Sequence, residues 1–215
     1  MKVKLWAGFI LVLLVLAGGA FGWWYLVARW QPKTIVRHQA EIAQLLQKSG
    51  WVAPPGNAQG PKLYQISFRA CGPCVRYRME EWPKLQKAGV QPRLIMIARA
   101  DSQGQSYSTP AERSTVAELW VNRDWRLMQR WDAVPPAAWT APGIPPADGD
   151  AARTAVVAQS RNLIEELTPL LKANGVITRE VCWPILIWWD REGRMRASAC
   201  APKRTDGYIR KELGA

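Results

Sequence analysis

Histidine occurs once in the 215 residues, as His38, and cysteine only four times. A single imidazole argues against zinc or copper centres built on several histidines. No Asn-x-Ser/Thr sequon is present, which suits a bacterial envelope better than a glycosylating secretory route. Acidic residues are the minority, with 17 Asp and Glu against 29 Lys and Arg and a formal net charge of +12. No nucleic-acid recognition motif accompanies that charge, and a solvated basic surface near an anionic bilayer accounts for it. Nucleic acid is therefore not an expected partner.

Charge is also missing from residues 5–28, LWAGFILVLLVLAGGAFGWWYLVA. At about 1.5 Å per residue such a helix crosses a hydrocarbon core of about 30 Å. Lys2 and Lys4 precede it, so the positive-inside rule leaves that end in the cytoplasm and sends the remainder across. Trp23, Trp24 and Tyr25 fall where an interfacial aromatic belt belongs. The small residues AGGA make a cleaved signal peptide the rival reading, but the apolar run resumes beyond them, which favours an uncleaved anchor. The expected organisation is a membrane anchor at 1–30, a juxtamembrane helix and loop at 31–61, and an α/β domain at 62–215 with a helical insertion at 111–174. The chain would sit in a bacterial inner membrane as a single-pass protein, its domain in the periplasm, where disulfides persist.

Apolar periodicity supplies the elements. Ile35, Ile42, Leu45 and Leu46 fit a helix ending at Gly50. KLYQISF, residues 62–68, alternates like a half-buried strand, and PRLIMIA, residues 92–98, reads as a central one. Between them lies a helix ending near Gly89, with Pro83 predicted to kink it. Two insertion helices are expected at 111–131 and 151–173, separated by a stiff Pro- and Gly-rich loop. Strands at 185–190 and 194–200 flank a DREG turn, and a short helix closes the chain. Thirteen tryptophans imply that several are core residues.

Cys71 and Cys74 enclose Gly72 and Pro73. Val75 follows, so the haem attachment pattern C-x-x-C-H is excluded. The remaining cysteines, Cys182 and Cys200, are not a second zinc knuckle; neither a metal nor another cofactor is expected. A structural disulfide and a redox pair remain. Placement between a strand and a helix favours the redox pair: Cys71 stands at the helix N-terminus, where unpaired N–H groups and the dipole stabilise a thiolate. Pro73 opens the helix without wasting a donor, and Cys74, one turn in, is placed to resolve a mixed disulfide. Arg69 and Arg76 flank the pair; either would lower the thiol pKa further if it approached Cys71, or both point into water.

KLYQISFRACGPCVRY resembles the strand and active-site turn of the thioredoxin superfamily, and WPILIWWDREGRM its cis-proline strand and hairpin. The resemblance implies a thioredoxin-like fold with a central mixed sheet and a two-helix insertion like that of periplasmic Dsb-type proteins. It implies a thiol-disulfide oxidoreductase in which Cys71 attacks and Cys74 resolves. Gly72, Pro73, Trp183 and Pro184, the last on a cis peptide, would border the substrate groove. Two positions depart from thioredoxin: Gln65 stands where its buried aspartate lies, and Ala70 where its tryptophan precedes the first cysteine.

In a hairpin pairing Asp190 with Gly193, partner numbers sum to 383, and Cys182 and Cys200 sum to 382, so a bulge at Gly193 leaves them near-opposite. A structural bridge between them is expected, with a second redox pair as the sharper alternative. The expected function is disulfide exchange on thiols and disulfides of exported proteins, with a membrane electron donor or acceptor as partner. The alternative is a non-catalytic adaptor subunit of an envelope assembly.

Overall fold

The computed structural model describes residues 2–200 and 202–215, without the side chains of residues 2–12 and 29. Two units divide it, Met1–Gln31 and Pro32–Ala215. The first is a continuous helix α1 (Lys2–Leu26) and a short 3-10 turn at Ala28–Trp30. Among the described residues no helix is long and apolar enough to cross a membrane. Much of the expected anchor falls on residues 2–12, whose side chains lie outside the described residues, so the spanning segment gains no support here.

In the second unit, β3 (Lys62–Ser67) is the centre of a six-stranded sheet. It pairs in parallel with β4 (Gln91–Met96) and antiparallel with β5 (Ile185–Trp189). Outside these lie β6 (Met195–Ala199) and the two-residue edge strands β1 (Lys33–Thr34) and β2 (Trp51–Val52), in the order β1-β6-β5-β3-β4-β2. The parallel crossover from β3 to β4 is made by α3 (Gly72–Lys87). Helix α7 (Lys203–Leu213) packs on α3, and α2 (Gln39–Lys48), α4 (Pro110–Asn122) and α6 (Ala151–Ala173) pack together. The mixed α/β architecture follows from β3 and β4 being buried along nearly their whole length, as strands covered on both faces must be.

Three expectations need correction. The helix expected at 111–131 is two: α4 ends at Arg123, whose φ is +53°, and α5 (Trp125–Asp132) restarts where the Asp124 carboxylate accepts the Arg126 N–H at 2.7 Å. An N-cap inside a periodic pattern broke the helix without disturbing its apolar stripe. Ile35 is not helical: its N–H donates to the Met195 carbonyl at 2.8 Å, its side chain is fully buried, and α2 begins only at Gln39. Residues 32–61 thus belong with the second unit's sheet and core. Gly50 is required by packing rather than as a helix cap, since a Cβ there would lie 2.2 Å from the Trp120 Cα. Pro83 lies inside α3, which continues to Lys87. Trp82, Trp120, Trp131, Trp139 and Trp188 are buried in the core, as the tryptophan content implied.

Candidate active site

The β3 strand ends at Ser67, and α3 starts five residues later at Gly72. Cys71 is the N-cap of α3, its backbone extended (φ −83°, ψ 92°), and its sulfur accepts the Cys74 N–H at 3.2 Å. Pro73 occupies the first turn, where its missing N–H leaves no bond unmade. Cys71 and Cys74 are disulfide-bonded, with Cα atoms 5.2 Å apart. Cys71 keeps 3% of its surface, Cys74 none, while Gly72 and Pro73 are exposed. Of the two cysteines, only Cys71 therefore meets solvent. The donated Cys74 N–H and the positive end of the α3 dipole face any charge left on that sulfur after reduction.

The antiparallel register of β3 and β5 pairs Ile66 with Ile185; continued, it sets Ser67 opposite Pro184 and Phe68 opposite Trp183. The rings of Phe68 and Trp183 meet edge to face, with centroids 5.4 Å apart, and the Trp183–Pro184 peptide is cis. Since the Cys71 N–H donates to the Phe68 carbonyl at 3.2 Å, sheet register alone brings Trp183 and Pro184 beside the cysteine turn. Gln65 is fully buried under α3, and its Nε2 donates to the Cys74 carbonyl at 2.9 Å. Its Oε1 has no hydrogen-bond partner among the described residues. An amide there fixes Cys74's turn of helix but carries no ionisable proton.

Arg69 neither approaches Cys71 nor points into water. Its Nη1 donates to Asp132 at 2.9 Å and its Nη2 to the carbonyls of Trp131 (2.5 Å) and Val134. Arg78, one turn beyond Cys74, donates to the same carboxylate at 2.7 Å. Burial is the largest influence on all three: it lowers the pKa of Arg69 and of Arg78, and raises that of Asp132 above the usual carboxylate range despite its two guanidinium partners. The cluster clamps the segment before Cys71 to the end of α5. Arg76 turns to Asp206 on α7, at 2.8 Å, and to Glu80, at 3.3 Å. Asp132 carried no sequence signal, because its partners lie 54 and 63 positions away.

Cys182 and Cys200 are also bonded, with Cα atoms 4.9 Å apart. The hairpin register is not the expected one: Ile185 pairs with Ala199 and Trp189 with Met195, so partner numbers sum to 384. Gly193, at φ +75°, is the bulge, and it shifts the count away from the cysteine pair. The two cysteines still meet because both lie beyond the ladder. Cys200 turns at φ +61°, and Cys182 precedes the cis peptide.

Neither a protein-family model nor a curated protein matches this chain. A mixed α/β sheet with a bonded Cys-x-x-Cys pair at a strand-to-helix turn is compatible with a thioredoxin-like fold, and the pair points to thiol-disulfide chemistry.

Proposed function

We propose that the domain is a thiol-disulfide oxidoreductase acting on exported proteins outside the cytoplasm. The observation that carries this reading is the bonded Cys71–Cys74 pair at the N-terminus of α3, of which only Cys71 has surface. From the oxidised state, a client thiolate attacks the Cys71 sulfur. A mixed disulfide forms, and the electron pair of the broken S–S bond leaves on the Cys74 thiolate. A second client thiolate then attacks the client sulfur of the mixed disulfide and expels the Cys71 thiolate. The client gains a disulfide, and two electrons remain on Cys71 and Cys74. Run backwards from the dithiol, the same steps reduce a client disulfide. An electron partner in the membrane would reset the pair in either direction. The extracytoplasmic setting is supported by the second disulfide, Cys182–Cys200, which an oxidising compartment maintains.

One observation favours a second reading, a non-catalytic adaptor: only 3% of Cys71 is exposed, so the opening to its sulfur is narrow. One pair of variants separates the two. Cys74→Ala leaves a mixed disulfide unresolved and should accumulate client adducts, visible on non-reducing gels and absent from Cys71→Ser/Cys74→Ala. If Cys74→Ala traps nothing while wild type and Cys71→Ser assemble equally with partners, the adaptor reading stands and the enzyme reading falls.

A further inference from the structure

Beside the cysteine turn, the carboxyl end of β4 runs level with that of β3, the Ile97 N–H donating to the Ser67 carbonyl at 2.9 Å. The residues that follow line a cleft of about 380 Å³, closed by Tyr107, Trp183 and the α6 side chains Arg161, Ile164 and Glu165. Arg99 lies in this cleft, and the thiol chemistry makes no use of it. Its guanidinium carbon sits 4.9 Å from the Phe68 ring centroid and 4.3 Å from that of Tyr107. Its backbone is held on both sides: the Arg99 N–H donates to Ser108 Oγ at 2.9 Å, and the Ala98 N–H to Ser160 Oγ at 3.2 Å.

Among the described residues Arg99 makes no ion pair. Asp101 is taken by Arg161 at 3.3 Å, and Glu165, solvent-exposed on α6, is not within 4.0 Å of the Arg99 guanidinium. A guanidinium fixed by aromatic rings keeps its in-plane N–H fork for a carboxylate, and fork and carboxylate match in geometry. Phe68, which touches Arg99, is also the residue whose carbonyl accepts the Cys71 N–H, so the two Cα atoms lie within about 7 Å. Adding the Phe68 side chain and its contact with Arg99 gives an upper bound of about 17 Å, or about five extended residues at ~3.3 Å each.

We propose that Arg99 is a specificity residue for client proteins, binding an aspartate or glutamate side chain within about five residues of the client's reacting cysteine. The inference rests on the exchange reading above and adds the class of client.

The test uses the full chain, oxidised, and dithiol peptides identical except for Glu, Gln or Lys three positions from one cysteine. Reduction of Cys71–Cys74 is followed as a second-order rate constant, with dithiothreitol as an uncharged thiol. In wild type the Glu peptide should react about 3- to 10-fold faster than the Gln peptide at low salt, the range of one charge-assisted contact that is partly exposed. The Glu/Gln ratio should fall to about 1 in Arg99→Gln, recover in part in Arg99→Lys, and rise in Glu165→Gln. Lys87→Gln removes the same charge from the far end of α3 and should leave the ratio unchanged. A wild-type ratio near 1, a ratio that survives Arg99→Gln, or one lost equally in Lys87→Gln overturns the inference and leaves the exchange reading intact. If no thiol, dithiothreitol included, reduces Cys71–Cys74, the exchange reading falls and takes this inference with it. Should Arg99→Gln fail to fold, the Arg99→Lys and Glu165→Gln ratios decide.

Discussion

Replacing Asp132 by alanine tests whether the clamp beside the cysteine turn is held by one carboxylate. The Arg69 and Arg78 side chains are each 7% exposed and share Asp132, itself 29% exposed, at 2.9 and 2.7 Å. Burial opposes the charged form of every member, so the cluster as a whole adds little to stability. Removing one partner is a different matter, because the guanidiniums stay buried. Breaking a buried pair costs about 3–5 kcal/mol, and the partial exposure of Asp132 brings this to about 2–4 kcal/mol. Arg69 retains the carbonyls of Trp131 and Val134, so the loss should fall mainly on Arg78. Asp132→Ala should therefore lower Tm by about 5–15 °C in a domain of this size. Arg78→Met added to Asp132→Ala should restore about 1–2 kcal/mol, a coupling ordinary for residues in contact. Urea denaturation of the oxidised chain at low salt and in 0.5 M salt measures both, and salt should change little because a buried pair is poorly screened. An Asp132→Ala variant within about 0.5 kcal/mol of wild type, or a double variant no more stable than Asp132→Ala alone, would refute the reasoning.

Three further expectations follow from the same geometry. Cys182→Ser/Cys200→Ser opens a loop with sequence separation 18 and should destabilise the domain by about 3 kcal/mol while leaving Cys71 able to exchange; loss of exchange with intact fold would instead favour a second redox pair. Gly50→Ala should cost about 1–3 kcal/mol or more by overpacking, since the new Cβ would lie 2.2 Å from backbone at Trp120, and an unchanged urea midpoint would show that the two segments separate easily. Burial, foremost, raises the Asp206 carboxyl pKa despite Arg76, so the folded state binds more protons than the unfolded just above the ordinary carboxylate range. Its contribution is thus full below that range and lost as pH rises through the raised value; Asp206→Asn should flatten the decline in stability that sets in as pH rises above the ordinary carboxylate range, and parallel profiles for wild type and variant would contradict this.

What the sequence disclosed is what neighbouring residues decide among themselves. The CGPC turn, β3 before it and α3 after it follow from a strand pattern, a proline at the helix start and a cysteine at its cap, all within about 25 residues; the alternation in β3 misled only on its depth, since the strand is covered on both faces rather than half buried. Helix α6 was legible at both ends, Ala151–Ala173, because Leu163, Leu167 and Leu171 recur at helical spacing and are buried along it. Strands β1 and β2 were not legible, being two residues each; β1 exists only because Lys33 pairs with Ala197. The break at Arg123 was written in the polar triplet Asn122-Arg123-Asp124, but the apolar spacing on either side overrode it.

The same division explains the site. Chemistry at Cys71 depends on a local motif, so both cysteines could be named from sequence. What surrounds them depends on the rest of the fold: sheet register brings Trp183 and Pro184 through β5 and Arg99 beyond β4, and helix α5 brings Asp132. Only the β5 contribution was anticipated, and that from resemblance rather than spacing. The charge that flanks the pair in sequence, Arg69 and Arg76, is consumed by Asp132 and Asp206, whereas Arg99, a guanidinium without a carboxylate among the described residues, lies 28 positions from Cys71 along the chain. Proximity in sequence thus left open where the Arg69 and Arg76 guanidiniums go, and the fold pairs both with carboxylates. A basic chain of net charge +12 can select acidic segments only where a cation is unpaired and held still; beside this turn Arg99, packed on Phe68 and Tyr107 and without an ion pair among the described residues, meets both conditions.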